Sequence, residues 1–240
     1  MNTCSRLQTG LCSISLAIVL GSGGWLLKAH AQPFGDDDQA LIFTRPTAIT
    51  NLYLPLSELH QDILEGTEGS KKIRIERTML RGTRTFTVHG KKVVARMMED
   101  REFENGKLKE VTLDYIAQAD TGAVCYMGER VDVYAEGKIV GHEGAWLTGE
   151  HHALPGVLFP AHPRVGDKFH SENVPGIAVE SDEIVSVEET VVVPAGTYKH
   201  CVKVKESVKG EEPEYKYYAP KMGVVREAPH GGDVRLISHK

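Results

Sequence analysis

Histidine residues concentrate in the middle of this 240-residue chain. Residues 141–176 contain five of them with two interleaved glutamates: His142, His151, His152, His162, His170, Glu143 and Glu150. Neutral imidazole is the commonest protein ligand for transition metals, and carboxylates can complete a coordination shell. We therefore consider His142, His151, His152 and His162 as candidate ligands of a transition metal.

The spacing of these histidines matches no known helical metal motif such as His-Glu-x-x-His. The adjacent residues His151 and His152 would also point to opposite faces if this part of the chain is extended. Water-exposed loop histidines are therefore the alternative interpretation.

Patterns typical of catalysis are missing from the sequence. There is no Gly-x-Ser-x-Gly elbow and no glycine-rich phosphate loop before a helix. His200 and Cys201 are sequence neighbours, and so are Glu99 and Asp100, but neighbours in a strand face away from each other. We predict a protein that is not an enzyme and needs no organic cofactor.

The charge balance limits the class of partner. The chain has a net charge of −5 and no basic stripe, which argues against nucleic acid as a partner. A small apolar ligand or an envelope protein fits this composition better.

Residues 1–31 have the features of a secretory signal peptide. Arg6 precedes an apolar run over residues 11–27, and Ala29-His30-Ala31 supplies a small-x-small cleavage pattern. We predict cleavage near Ala31 and export to the periplasm or the extracellular space. Serines and glycines dilute the apolar run, so a retained membrane anchor is the weaker alternative, and no membrane span is predicted after cleavage.

Two cysteines, Cys125 and Cys201, remain after the predicted cleavage. An oxidising compartment permits a disulfide between them if their Cα atoms come within about 5.5 Å. Each lies inside a predicted strand, so two separately packed thiols are the alternative.

The elements that carry these residues are predicted to be antiparallel strands. Residues 198–205 alternate, with Tyr198, His200, Val202 and Val204 on one face, and Pro-Ala-Gly at 194–196 ends the strand before them. Asn105-Gly106 is a strong hairpin signal. Residues 57–65 fit either a capped helix or a short strand.

The predicted fold class is therefore all-β, mainly an antiparallel meander that forms a curved sheet or half-barrel with at most one or two short helices. Residues 32–50 are predicted to be an extended N-terminal segment, and residues 51–240 a single β domain. Prolines and glycines interrupt the pattern over residues 141–176, and long loops on a rigid sheet often bind ligands.

A curved sheet with an apolar concave face would hold a small apolar molecule or a lipid. The residues that could line it are Leu113, Tyr115, Ala117, Tyr198, Val202, Val204, Tyr215 and Tyr217. Among them, Tyr115, Tyr198, Tyr215 and Tyr217 are the candidate ligand contacts. The same residues would equally serve as the core of a sheet packed on itself.

Several short runs resemble a family of uncharacterised secreted bacterial proteins. They are Asn-Leu-Tyr-Leu-Pro-Leu at 51–56, Val-Pro-Ala-Gly-Thr at 193–197, Tyr-Tyr-Ala-Pro at 217–220 and Gly-Val-Val at 223–225. Related families are similar to the half-barrels of periplasmic lipoprotein carriers, which bind acyl chains in a concave sheet. The resemblance implies no activity. A ligand-binding module, a metal-binding periplasmic protein and an accessory subunit of an envelope complex all remain open.

Overall fold

The computed structural model describes residues 41–240. The predicted signal peptide, residues 1–31, lies outside the described residues, as does the 32–40 part of the predicted N-terminal segment. Between residues 41 and 240 there is no helix long and apolar enough to cross a membrane.

Every regular element in this part of the chain is a strand. The first seven are β1 (Gln61–Glu68), β2 (Lys71–Val88), β3 (Lys91–Glu104), β4 (Lys107–Gln118), β5 (Val124–Ala135), β6 (Lys138–Gly141) and β7 (Trp146–Leu147). The others are β8 (Gly156–Phe159), β9 (Lys168–Val174), β10 (Ala178–Val193), β11 (Gly196–Val208), β12 (Glu214–Ala219), β13 (Gly223–Ala228) and β14 (Gly232–His239).

The strands form one antiparallel, curved sheet that does not close on itself. Its order is β6-β5-β4-β3-β2-β1-β14-β13-β12-β11-β10-β9, and β7 and β8 pair with β5. The sheet thus consists of two six-stranded meanders, β1 to β6 and β9 to β14, joined where β1 pairs with β14. The predicted all-β, antiparallel fold class is confirmed.

Three tight turns, among them the predicted one at Asn105-Gly106, show why the strands reverse where they do. The pairs His89-Gly90, Asn105-Gly106 and Glu136-Gly137 all have positive φ at both residues, between 47° and 78°. Two such residues form the tight turn whose twist matches that of the flanking strands. Turn chemistry in the sequence therefore sets the junctions between β2 and β3, between β3 and β4, and between β5 and β6.

Of the two elements predicted for residues 57–65, a capped helix or a short strand, the structure contains the strand, because β1 begins at Gln61. Residues 71–88 form the single long strand β2, whose pairing with β3 shifts between Met79 and Thr83. The loop-rich excursion at 141–176 contains three short strands, β7, β8 and β9.

The alternation predicted for residues 198–204 is wrong at His200. This residue has a φ of 55° and is exposed, while Cys201 and Val202 are both buried. The pairing of β10 with β11 is irregular at this point, where Glu189 faces Cys201 and Val191 faces Tyr198. A bulge of this kind inserts an unpaired residue and changes which side chains point inward.

Side chains fill the inside of the curved sheet. The main core joins strands of both meanders and includes Leu64, Ile75, Ile116, Ile184 and Leu236, each fully buried. A second, smaller core contains Phe86, Val93, Tyr115, Ala117 and Met127. Since Ile116 belongs to the first core and its neighbours 115 and 117 to the second, both faces of β4 are covered.

Strand β8 lies very close to β9, and this contact positions the site described below. A Cβ atom added at Gly156 would lie 1.7 Å from the Ser171 backbone oxygen. We expect Gly156→Ala to lower the free energy of unfolding by about 3 kcal/mol, because the two strands must separate. Denaturant unfolding would measure this loss.

The control is Gly210→Ala, at a turn with open space around it and a φ of 93°. It should cost only the backbone strain of about 1 kcal/mol. Equal decreases in the free energy of unfolding of the two variants would contradict the close contact between β8 and β9.

Candidate binding cleft and buried acidic belt

A cleft of about 770 Å³ opens between β8, β9, β10 and the loop that precedes β8. We call it the β9–β10 cleft. Its apolar walls are Ala153, Leu154, Pro155, Val157, Phe169, Val174 and Pro175, and its polar lining includes His151, His152, Lys168, His170, Ser181, Asp182 and Glu183. Leu154 is 55% exposed, so its side chain is available to a bound molecule.

Asp182 is the buried carboxylate of this cleft, with only 4% of its surface exposed. The Ser171 backbone N–H donates a hydrogen bond of 3.1 Å to its Oδ2 atom. Burial raises the pKa of Asp182 well above its usual range, and the nearby carboxylates of Glu180 and Glu206 raise it further.

Glu180 and Glu206 lie next to Asp182 inside the sheet. One ligand atom from each of the three carboxylates lies within 4.8 Å of the others, and all three residues are buried. In residues 41–240 this is the one group of three or more His, Cys, Asp or Glu side chains with metal-ligand spacing. Lys216 Nζ lies 2.8 Å from Glu206 Oε2 and supplies a positive charge to the group.

A second group of acids is buried around Tyr126 and Trp146. The Tyr126 hydroxyl contacts Asp114 Oδ1 and lies 3.0 Å from Glu129 Oε2. Its single proton serves one of these acids, and the other acid can donate to the hydroxyl oxygen when it is protonated. Trp146 Nε1 donates to Glu172 Oε1 over 2.6 Å. Burial raises the pKa of Asp114 to about 7 and that of Glu172 to about 8. These acids therefore retain protons near neutral pH.

Arg77 connects the two meanders across the interior of the sheet. Its Nε atom lies 2.7 Å from Asp100 Oδ2, and its Nη2 atom lies 2.6 Å from Glu227 Oε1. Burial raises the pKa of Asp100 to about 6, although Arg77 opposes this shift. Strands β2, β3 and β13 are thus held by a buried, charge-assisted network.

Strand register places these groups together. The pairs that face each other on neighbouring strands are Arg77 with Asp100, Asp114 with Glu129, Glu172 with Glu180, Asp182 with Glu206, and Lys216 with Glu227. We call these ten buried residues the acidic belt, because eight are carboxylic acids and two are bases. Charges buried in such an excess of one sign must be neutralised by protons or by a cation.

The four candidate metal ligands lie in different surroundings. His142 Nδ1 lies 2.9 Å from Asp132 Oδ1 and 2.8 Å from the Val131 carbonyl oxygen. His151 and His152 are exposed at the mouth of the β9–β10 cleft, and His162 is exposed on a loop outside its lining. The structure thus brings two of the four together at one feature, and metal binding by these histidines stays a prediction.

His170 and Ser181 also meet in the cleft, with 3.1 Å between His170 Nδ1 and Ser181 Oγ. The same nitrogen lies 3.0 Å from the Glu180 carbonyl oxygen, which can only accept a hydrogen bond. Nδ1 therefore carries the proton and cannot act as the base for Ser181. The pair is a structural hydrogen bond rather than an activated nucleophile.

The four candidate tyrosines do not share one surface. Tyr115 packs edge-on against Phe86 in the second core. Tyr215 and Tyr217 flank the ammonium of Lys203, and Tyr198 packs against the main core. None of the four lines the β9–β10 cleft. Their contact with a ligand also stays a prediction.

Cys125 on β5 and Cys201 on β11 are both free and buried. Of the two alternatives left open by the sequence, the structure therefore shows separately packed thiols. Burial raises the pKa of Cys125 to about 12, so that this thiol is protonated and unreactive at neutral pH.

The acidic belt was not predicted from the sequence, although β10 carries a signal for it. Ala178, Glu180, Asp182 and Ile184 share one phase of the alternation, and the first and last of them are apolar. Two acids between inward-facing apolar residues indicate buried carboxylates.

No protein-family model matches this sequence, and no curated protein resembles it significantly. Among solved structures, it is similar to a protein from Bacteroides fragilis NCTC 9343 that is inferred to be exported and has a YmcC-like fold. The two are 14% identical over 84% of this chain and 99% of the other, with a TM-score of 0.41. This likeness is too distant to bear on function, so the family resemblance in the sequence stays a prediction.

Proposed function

We propose that this protein is an exported, non-enzymatic binding module that takes a small amphipathic molecule into the β9–β10 cleft. The observation that carries the proposal is an open cleft of about 770 Å³ with apolar walls and a buried carboxylate among its polar groups. Protein sites for small molecules typically have about 300–1,000 Å³ and combine apolar walls with a few polar groups.

Two features support this choice over the interior of the curved sheet. The interior is occupied by the main core and most of the acidic belt, whereas the cleft, which Asp182 of that belt also lines, is open to solvent beside exposed Leu154. Strands β9 and β10 form the floor of the cleft and are hydrogen-bonded to each other. A rigid floor favours binding because little conformational entropy is lost when a ligand arrives.

Export is proposed from the signal-peptide features of residues 1–31. The alternatives of a metal-binding protein that uses the loop histidines, and of an accessory subunit in an envelope complex, are not favoured by a specific contact in residues 41–240.

Binding of N-phenyl-1-naphthylamine, an apolar dye that fluoresces in apolar sites, tests the proposal on the full chain. We expect saturable binding, and Leu154→Asp should weaken it about tenfold because an apolar contact is replaced by a charge. The matched control is Leu52→Asp, at a residue that is also half exposed but lies outside the cleft lining.

Leu52→Asp should leave the affinity unchanged. Saturable binding that is equally strong in the parent and in Leu154→Asp would place the dye elsewhere, and absence of binding in the parent would refute the proposed function.

A further inference from the structure

We propose that the molecule bound in the β9–β10 cleft carries a cationic amine, and that this ammonium group pairs with Asp182. This inference rests on the proposed function and specifies the chemistry of its ligand. The apolar part of such an amphiphile would lie along the walls formed by Leu154, Val157 and Phe169.

Asp182 is placed to receive a cation. It lines the cleft although 96% of its surface is covered. The hydrogen bond to its Oδ2 atom comes from the neutral backbone N–H of Ser171. A buried carboxylate that accepts a hydrogen bond from a neutral donor is less stable in its ionised form than one in direct contact with a cation.

The charges around Asp182 also favour a cationic ligand. The charged groups around it are Glu180 on the same strand, Glu206 on the neighbouring strand β11 and Lys216 on β12, one strand further away. When ionised, these three and Asp182 sum to two negative charges, because Lys216 is the single base among them. An incoming ammonium reduces this imbalance, whereas an incoming carboxylate or phosphate would increase it.

The mouth of the cleft does not reverse this preference. Lys168 and Glu183 both line the cleft, and Lys168 Nζ lies 3.8 Å from Glu183 Oε2. The opposite charges of Lys168 and Glu183 largely cancel, so the carboxylates around Asp182 set the sign of the electrostatic potential in the cleft.

A head-group series tests the inference on the full chain. Decylamine, decanol and decanoate have the same alkyl chain, and each is used to displace N-phenyl-1-naphthylamine. We expect decylamine to bind at least about tenfold more tightly than decanol, and decanoate more weakly than decanol, because an ion pair replaces a neutral contact.

Asp182→Asn should reduce the preference for decylamine over decanol to less than about threefold, because it removes the charge and keeps the shape. Glu188→Gln, on the exposed part of β10, is the control and should keep the full preference. If Asp182→Asn fails to fold, the series on the unmodified chain still decides the question.

Each outcome separates the two proposals. Binding of all three decyl compounds without head-group preference overturns the cationic ligand but leaves the binding module intact. No displacement by any of them refutes the proposed function itself. Stoichiometric binding of Ca²⁺ alone, with loss of decylamine binding, would show a metal site in place of an ammonium site and overturn the inference.

Discussion

Replacing Arg77 with methionine is expected to lower the free energy of unfolding by about 3–5 kcal/mol, because the change strands Asp100 and Glu227 without their cation. Both carboxylates are buried, and Arg77 itself is only 3% exposed. Methionine fills much of the arginine volume, so the loss reflects charge rather than a cavity. Urea unfolding at neutral pH measures the change.

Arg74→Met is the matched control for this variant. Arg74 lies on the same strand, and it also pairs with two acids, Glu65 and Glu76, but its side chain is 36% exposed. Exposed ion pairs contribute about 1 kcal/mol or less. If both variants lose the same small amount, the buried network around Arg77 does not hold the two meanders together.

The stability of the protein is expected to fall as the pH rises from about 5 to about 8, by at least about 3 kcal/mol. The pKa of Glu172 is raised by burial from its ordinary 4.5 to about 8, and that of Asp114 from 3.8 to about 7. The folded state therefore keeps protons that the unfolded state has already lost in this range. The stabilisation is fully present below the unfolded pKa and is lost as the pH rises through the folded pKa.

The sign is opposite to ordinary acid denaturation, in which salt-bridged carboxylates with lowered pKa values make proteins less stable as the pH falls. Denaturant unfolding at several pH values between about 5 and 8 measures the slope.

Glu172→Gln should flatten this slope by about 1.4 kcal/mol for each pH unit, because the amide does not titrate. Its oxygen can still accept the hydrogen bond from Trp146. Glu58→Gln, at an exposed position, should leave the slope unchanged. A stability that rises steadily with pH would show that the buried acids are ionised in the folded protein.

Most of the sheet follows from local patterns in the sequence. Glycines with positive φ at 90, 106 and 137 fix three turns, and alternating residues between them specify strands. The bulge at His200 is different, because the left-handed backbone there is imposed by pairing with β10 rather than by the residue itself. The alternation therefore predicts the strand correctly but assigns His200 to its buried face.

The acidic belt depends on register between distant strands, which no local pattern contains. Arg77 and Glu227 are 150 residues apart in the chain and become ion-pair partners only through the curvature of the sheet. Two residues that line the β9–β10 cleft, His151 and His152, belong to the loop-rich segment 141–176, where the sequence favours a binding site. Asp182 on β10 also lines the cleft, and the alternation over residues 178–184 indicates its burial but not the charged groups that surround it.

The join between β1 and β14 has a consequence for the folding kinetics of the domain. Within each meander, hairpins form between sequence neighbours, so nucleation requires the closure of short loops only. The join instead brings together Asp62 and His239, which are 177 positions apart. We therefore expect formation of the β1–β14 join to be a slow step in refolding, because it requires the closure of a much longer loop than any hairpin does.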